Sequence, residues 1–214
     1  MIRECFKHID IPHARSIVDA GANVCLSTIY LANRFPHAQI TAIEIDIENF
    51  GILSKSTASL SNVKTLHKAL WHRNTGIQIS NSTGKKTAIR VEKSNCAEQV
   101  SIPTVTIIGL LNANNNAIDI LKIDIEGAER LLFKDVSADQ FRKIGLLVIE
   151  LHVFTVEGCA HSFYTYLTRE PFQQKQHGEN LYITFPGSKP ALNNAHSAAN
   201  HKPGGRMPSL KTGP

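Results

Sequence analysis

Short apolar runs alternate with amphipathic stretches along most of the chain. Ser16-Ile17-Val18-Asp19 is apolar and ends in an acid, Gly21-Ala22-Asn23 follows, and Leu26 to Phe35 carries apolar residues at helical spacing before Pro36. This predicts a strand, a tight turn and a helix stopped by proline. Gln39 to Glu44 predicts a second strand, and Val63 to Leu66 a third. Between them Ile47 to Leu60 predicts a helix with Ile47, Phe50, Leu53 and Ala58 on its inner face. Gly76 to Ile79 and Thr87 to Val91 alternate apolar and polar residues around the turn signal Asn81-Ser82-Thr83-Gly84. That pattern predicts an inserted hairpin. Val105 to Leu111 reads as a short helix, Ile118 to Asp124 as a fourth strand, and Gly127 to Phe133 as the start of another helix. Leu146 to Leu151 is almost wholly apolar, as a strand covered on both faces would be. Ser162 to Leu167 reads as a helix, and Phe172 to Lys175 with Leu181 to Phe185 as a closing antiparallel pair. Strands alternating with helices predict an α/β domain with a mostly parallel seven-stranded sheet and a closing antiparallel hairpin.

Composition sets the domain limits. Hydrophobic residues make up 42% and charged residues 19%, an ordinary globular balance. From Gly187 onward the chain is rich in Pro, Gly, Asn, Ala and Ser, with Lys189, Lys202, Arg206 and Lys211 and no acid. A segment so poor in large apolar residues cannot offset its ordering entropy, so 1–186 is expected to fold and 187–214 to be a disordered basic tail. Most of the net charge of +5 belongs to that tail. The folded part then has no basic stripe of the kind that binds nucleic acid, and no nucleic-acid partner is expected. No apolar run reaches the roughly 18 residues of a membrane span. Met1 to Ile11 lacks the apolar core of a secretory signal, and Cys5, Cys25, Cys96 and Cys159 form no C-x-x-C pair. A reduced, cytoplasmic setting without structural zinc or disulfides is expected.

The chemistry clusters where predicted strands end. In an open α/β sheet ligands bind outside the carboxyl ends of the strands. Asp19 ends the first strand, and Gly21 allows a close backbone approach. The G-x-G-x-x-G dinucleotide fingerprint is absent, and an acid beside this turn suits the ammonium and sulfonium of S-adenosylmethionine better than a pyrophosphate. The same residues also read as a plain strand-to-helix turn with Asn23 as a helix cap. Glu44, twenty-three residues after Gly21, can accept both hydroxyls of a ribose, or be a solvated strand-end acid. Asp124, Glu126 and Glu129 follow the fourth strand within six residues, and buried carboxylates are costly unless paired or liganded. Glu129 also reads as a helix-dipole acid or a partner of Arg130 or Lys122. Glu150 and His152 share one strand parity. His152, with an ordinary pKa of about 6.5, suits a general base, or is a structural histidine. The nine other histidines form no H-x-x-x-H pair on a convincing helix and read as surface or loop residues.

Three strings resemble the FkbM family of methyltransferases: Ile17-Val18-Asp19-Ala20-Gly21-Ala22-Asn23, Ala42-Ile43-Glu44-Ile45-Asp46 and, most specific, Leu121-Lys122-Ile123-Asp124-Ile125-Glu126-Gly127-Ala128-Glu129. The resemblance covers about Ser16 to Phe185. It implies a Rossmann-like class I methyltransferase fold and S-adenosyl-L-methionine as donor. It also implies O-methylation of a hydroxyl on a sugar, polyketide-like or other small-molecule acceptor. By position, Asp19, Gly21 and Asn23 would line the methionine end of the donor and Glu44 its ribose. Lys68 and Ala69 would lie by the adenine, and Asp124 and Glu126 would border the transfer site. The chain departs from the family in having Cys25 where glycine is usual, Ile45 where proline is common, and Ile108 where an acid tends to stand.

Sulfonium methyl transfer is an in-line displacement, so the protein mainly aligns the reactants and removes a proton. His152, Asp124 and Glu126 are the candidate catalytic residues. No ligand set for a metal is convincing, although Asp124, Glu126 and Glu150 can be drawn around a divalent cation. A nicotinamide-dependent oxidoreductase and a degenerate methyltransferase fold kept as a scaffold are the rival readings.

Overall fold

The apolar runs become strands because both of their faces are covered. The computed structural model describes residues 6–79, 89–90, 101–125, 129–152 and 157–188. The central strands β1 (Ser16–Ala20) and β8 (Ile118–Ile123) are buried at every position, including their polar residues. Around them lie β2 (Gln39–Glu44), β3 (Val63–His67), β9 (Ile144–Glu150), β10 (Gln173–His177) and β11 (Asn180–Thr184). The sheet order is β3-β2-β1-β8-β9-β11-β10. The first five are parallel, while β11 runs antiparallel to β9 and to β10. The expected parallel sheet with a closing hairpin is therefore present.

Strand parity sorts side chains to two faces. On one face Val18, Ala20, Leu121, Ile123, Leu147 and Ile149 pack on the helices α3 (Ile107–Ala113), α4 (Glu129–Leu132), α5 (Ala138–Phe141) and α6 (Cys159–Leu167). On the other, Ile17, Ile120, Leu146 and Val148 pack beneath α1 (Leu26–Arg34). Asp19, Lys122 and Glu150 continue this second parity toward the carboxyl ends of their strands. The apolar stripe under α1 thus ends in charge.

The chain leaves β1 outward through β2 and β3, then returns to add β8 on the other side of β1. The switch point of the sheet lies between β1 and β8, where ligand crevices form. A second sheet, β4-β7-β5-β6, lies at this end. It comprises β4 (Ala69–Leu70), β5 (Gly76–Ile79), β6 (Ile89–Arg90) and β7 (Ile102–Val105). Its Ala69, Trp71, Ile77 and Ile102 pack against Ile45 and Ile125, which follow β2 and β8.

Several boundaries differ from expectation. The hairpin is the β5–β6 pair, with Gln78 opposite Arg90, while its turn at 81–84 lies outside the described residues. Helix α2 (Ile47–Thr57) starts at Asp46, whose carboxylate accepts the Glu48 and Asn49 amides at 3.0 Å. Ile47 therefore stands in the first turn, 64% exposed, and Ala58 lies past the end; Leu53 and Thr57 form the buried face. Thr106 caps α3 through the Gly109 amide, so the predicted helix from Val105 splits into a strand end and a later helix. Of the predicted tail only Gly187 and Ser188 are described. Among the described residues no helix is long and apolar enough to cross a membrane.

Candidate functional site

The turn after β1 takes its shape from glycine. Gly21 has φ +77°, and a Cβ there would lie 1.6 Å from the Asp124 carbonyl oxygen. The close backbone approach read from the sequence is therefore made to the end of β8. Backbone bonds lock the crossing: Asp124 donates to Ala20, and the Gly21 and Ala22 amides both donate to Ile43, each at 3.0 Å. The helix cap is Cys25, not Asn23. Cys25 has φ +76° and makes no side-chain cap bond. A left-handed residue is cheapest as glycine, which accounts for the glycine usual there in the resembling sequences.

Asp19, expected to line the methionine end of the donor, is fully buried and holds a cation of the chain itself. Its Oδ2 accepts the Ser27 and Thr28 hydroxyls at 2.6 and 2.7 Å. Its Oδ1 forms an ion pair with Lys122 Nζ at 3.1 Å. Asp19 and Lys122 are cross-strand partners on the same face. Lys122 also donates to the Gly21 carbonyl at 2.9 Å and lies 3.7 Å from Asp124 Oδ2. Burial alone would pull the Lys122 pKa down, but Asp19 and Asp124, with a smaller push from Glu150, hold it above the ordinary lysine value. From sequence alone Lys122 is offered only as a partner of Glu129, because Asp19 stands 103 residues earlier.

Glu44 is tied to the same turn. Its Oε2 accepts the Asn23 amide at 2.7 Å and its Oε1 the Asp46 amide at 2.8 Å. A carboxylate offers about four acceptor positions, so each oxygen keeps one for a hydroxyl. This is the acceptor set that a pair of ribose hydroxyls requires. Lys68 follows β3 and donates its amide to the Glu44 carbonyl at 3.2 Å, while Ala69 is buried in the core of the second sheet. His67 faces the Ile45 carbonyl at 3.0 Å and tilts against Phe50. Ile47 is exposed beside this edge.

The third group gathers at the ends of β8 and β9. His152 Nδ1 lies 3.1 Å from Oε1 of the fully buried Glu129. Glu129 stands in the first turn of α4, as one sequence reading had it, but its partner is an imidazole rather than Arg130 or Lys122. When Nδ1 donates to that carboxylate, the basic lone pair sits on Nε2. Nε2 is 3.9 Å from Asp124 Oδ1 and 3.9 Å from Glu150 Oε1. One ligand atom each from Asp124, Glu150 and His152 falls within 4.8 Å of the others, a set able to hold a metal ion. The other carboxylate named with them, Glu126, lies outside the described residues. The Cys159 thiol sits 3.9 Å from Glu129 Oε2, and burial, then the charge of Glu129, push its pKa up to about 11.

A parallel sheet with this strand order, helices on both faces and carboxylates at its switch point defines a Rossmann-like class I methyltransferase fold. Residues 19–181 match the methyltransferase FkbM domain, and the chain belongs to that family. It is 26% identical over 180 residues to methyltransferase sdnD of Sordaria araneosa, covering 68% of this chain and 70% of that protein. It is 21% identical over 173 residues to methyltransferase 1 of Beauveria bassiana, covering 70% of each. A crystal structure of methyltransferase FkbM from Methylobacillus flagellatus shares the fold at TM-score 0.57 and 14% identity, over 84% of this chain. The chain spans about half of that crystallised protein, 46% of its length. The protein is a methyltransferase.

Proposed function

We propose that the chain uses S-adenosyl-L-methionine to methylate a hydroxyl of a small-molecule acceptor, such as a sugar or polyketide-like compound, with His152 as the base. The observation that carries this reading is the Glu129–His152 pair beside Asp124 and Glu150, next to a glycine turn hydrogen-bonded to Glu44. Bound S-adenosylmethionine supplies an electrophilic methyl group on sulfur. Glu44 accepts the ribose hydroxyls with its remaining lone pairs, and the loop from Gly21 to Asn23 receives the methionine end. Lys68 and Ala69 border the adenine, and Asp124 faces the positive charge of the donor. His152 Nε2 takes the proton of the acceptor hydroxyl, and Glu129 stabilises the resulting imidazolium. The near-neutral balance outside the tail suits an uncharged small acceptor rather than nucleic acid.

A second reading is favoured by the convergence of Asp124, Glu150 and His152, which suits a divalent cation that orients the acceptor oxygen. The two readings separate on metal removal. A base mechanism keeps its rate in excess chelator, whereas a cation mechanism loses it and regains it with magnesium or manganese.

Calorimetric titration tests the donor assignment. Micromolar binding of S-adenosylmethionine and S-adenosylhomocysteine, without NAD binding, is the expected result. NAD binding alone would select an oxidoreductase, and no binding a scaffold. His152→Ala is expected to slow turnover by about a hundredfold or more while donor affinity stays nearly constant. An unchanged rate would place the base elsewhere.

A further inference from the structure

A lysine near the carboxyl end of a fully buried strand needs a reason. Every residue of β8 is buried, and Lys122 is 6% exposed. An ammonium there is costly to bury unless it is paired, whereas an apolar residue would simply pack. All of its close partners lie at the switch point: Asp19 Oδ1, the Gly21 carbonyl and Asp124 Oδ2. The carboxylates around it differ in openness. The Asp19 side chain is sealed at 0% exposure, while those of Asp124 and Glu150 are 34% and 26% exposed. Lys122 therefore stands between a buried acid and the open ones.

We propose that Lys122 is a positioning residue whose ammonium pins the turn after β1 to the end of β8 and sets the preference of the crevice for a charged sulfonium donor over its neutral thioether product. The inference rests on the S-adenosylmethionine reading above. The donor loses its positive charge when the methyl leaves, so a charge in the crevice floor acts on donor affinity and leaves product affinity nearly untouched. Lys122 moderates the attraction of the open carboxylates for the donor, and Asp19 moderates Lys122. Too strong an attraction would hold the donor without favouring its conversion, since only interactions gained in the transition state speed the reaction.

The test is the ratio of S-adenosylmethionine to S-adenosylhomocysteine affinity, measured by calorimetry in four proteins. Asp19→Asn removes the nearest countercharge of Lys122, and the ratio should fall by about fivefold. An asparagine amide can still bond Ser27, Thr28 and Lys122, because the hydroxyls can rotate. Lys122→Met should raise the ratio by a similar factor, and the double variant should return within about twofold of the parent. If Lys122→Met fails to fold, Asp19→Asn and the double variant still decide the question. Equal weakening of both ligands in every variant, with the ratio fixed, would overturn the charge role and leave Lys122 a structural residue. If the parent protein binds neither ligand, the donor assignment fails first and this inference with it.

Discussion

The two ends of β8 are built from the same parts and put to different uses. At its start Asp119 is fully buried and accepts the amides of Arg15 and Ser16 at 2.7 and 3.0 Å. Gly145 on β9 runs so close that a Cβ would lie 2.8 Å from the Asp119 carbonyl oxygen. At the other end Lys122 and Asp124 meet the equally buried Asp19, and Gly21 crosses even closer. Asp119 takes main-chain donors and fastens one strand to the next. Asp19 takes an ammonium and two hydroxyls, in a place where neighbouring carboxylates remain open. A buried acid by itself therefore does not mark a site. What marks one is a buried charge pair bordered by polar groups with acceptor capacity to spare.

Substitutions at the two ends should separate these uses. The largest effect is expected from Gly21→Ala, which drives a methyl group into a backbone carbonyl at a positive φ. It should cost at least about 3 kcal/mol in urea unfolding and abolish donor binding, because β1 and β8 must separate. A variant of normal stability and affinity would show that the crossing is not tight. Next is Asp119→Ala at the opposite end. It strands two amides and should cost about 2 kcal/mol, with donor affinity measured on the folded protein unchanged. A loss of affinity without a loss of stability there would erase the distinction between the two ends. The smallest effect is expected from Cys25→Gly. Relief of the left-handed backbone and loss of a buried thiol nearly cancel, so stability should move by less than about 1 kcal/mol. A larger fall would mean that packing against Ala22, Ala42 and Leu53 decides this position.

The comparison also shows what a sequence carries. β1, β8 and β9 were legible because their apolar runs are local, as was the closing hairpin. β4 was not, since two residues make no pattern and Ala69 becomes a strand only by pairing with Thr104. Glu44 and His152 could be read as strand-end groups from their position alone. The roles of Lys122 and Glu129 could not, because each depends on a partner fixed by sheet register or by a helix docked beside it. The pairing of Asp19 was equally hidden: nothing local reveals that Lys122 stands opposite. The signal available was the lysine itself, the one cation in the buried strand Ile-Asp-Ile-Leu-Lys-Ile.

We propose that the carboxyl ends of β1, β2, β8 and β9 form one adenosyl-sulfonium pocket. A crystal structure of the protein soaked with S-adenosylhomocysteine tests it most directly. Both ribose hydroxyls are expected on the Glu44 carboxylate, with the thioether sulfur within reach of Asp124 and His152. Density for the ligand at the opposite edge of the sheet, or none at this crevice under saturating ligand, would contradict it.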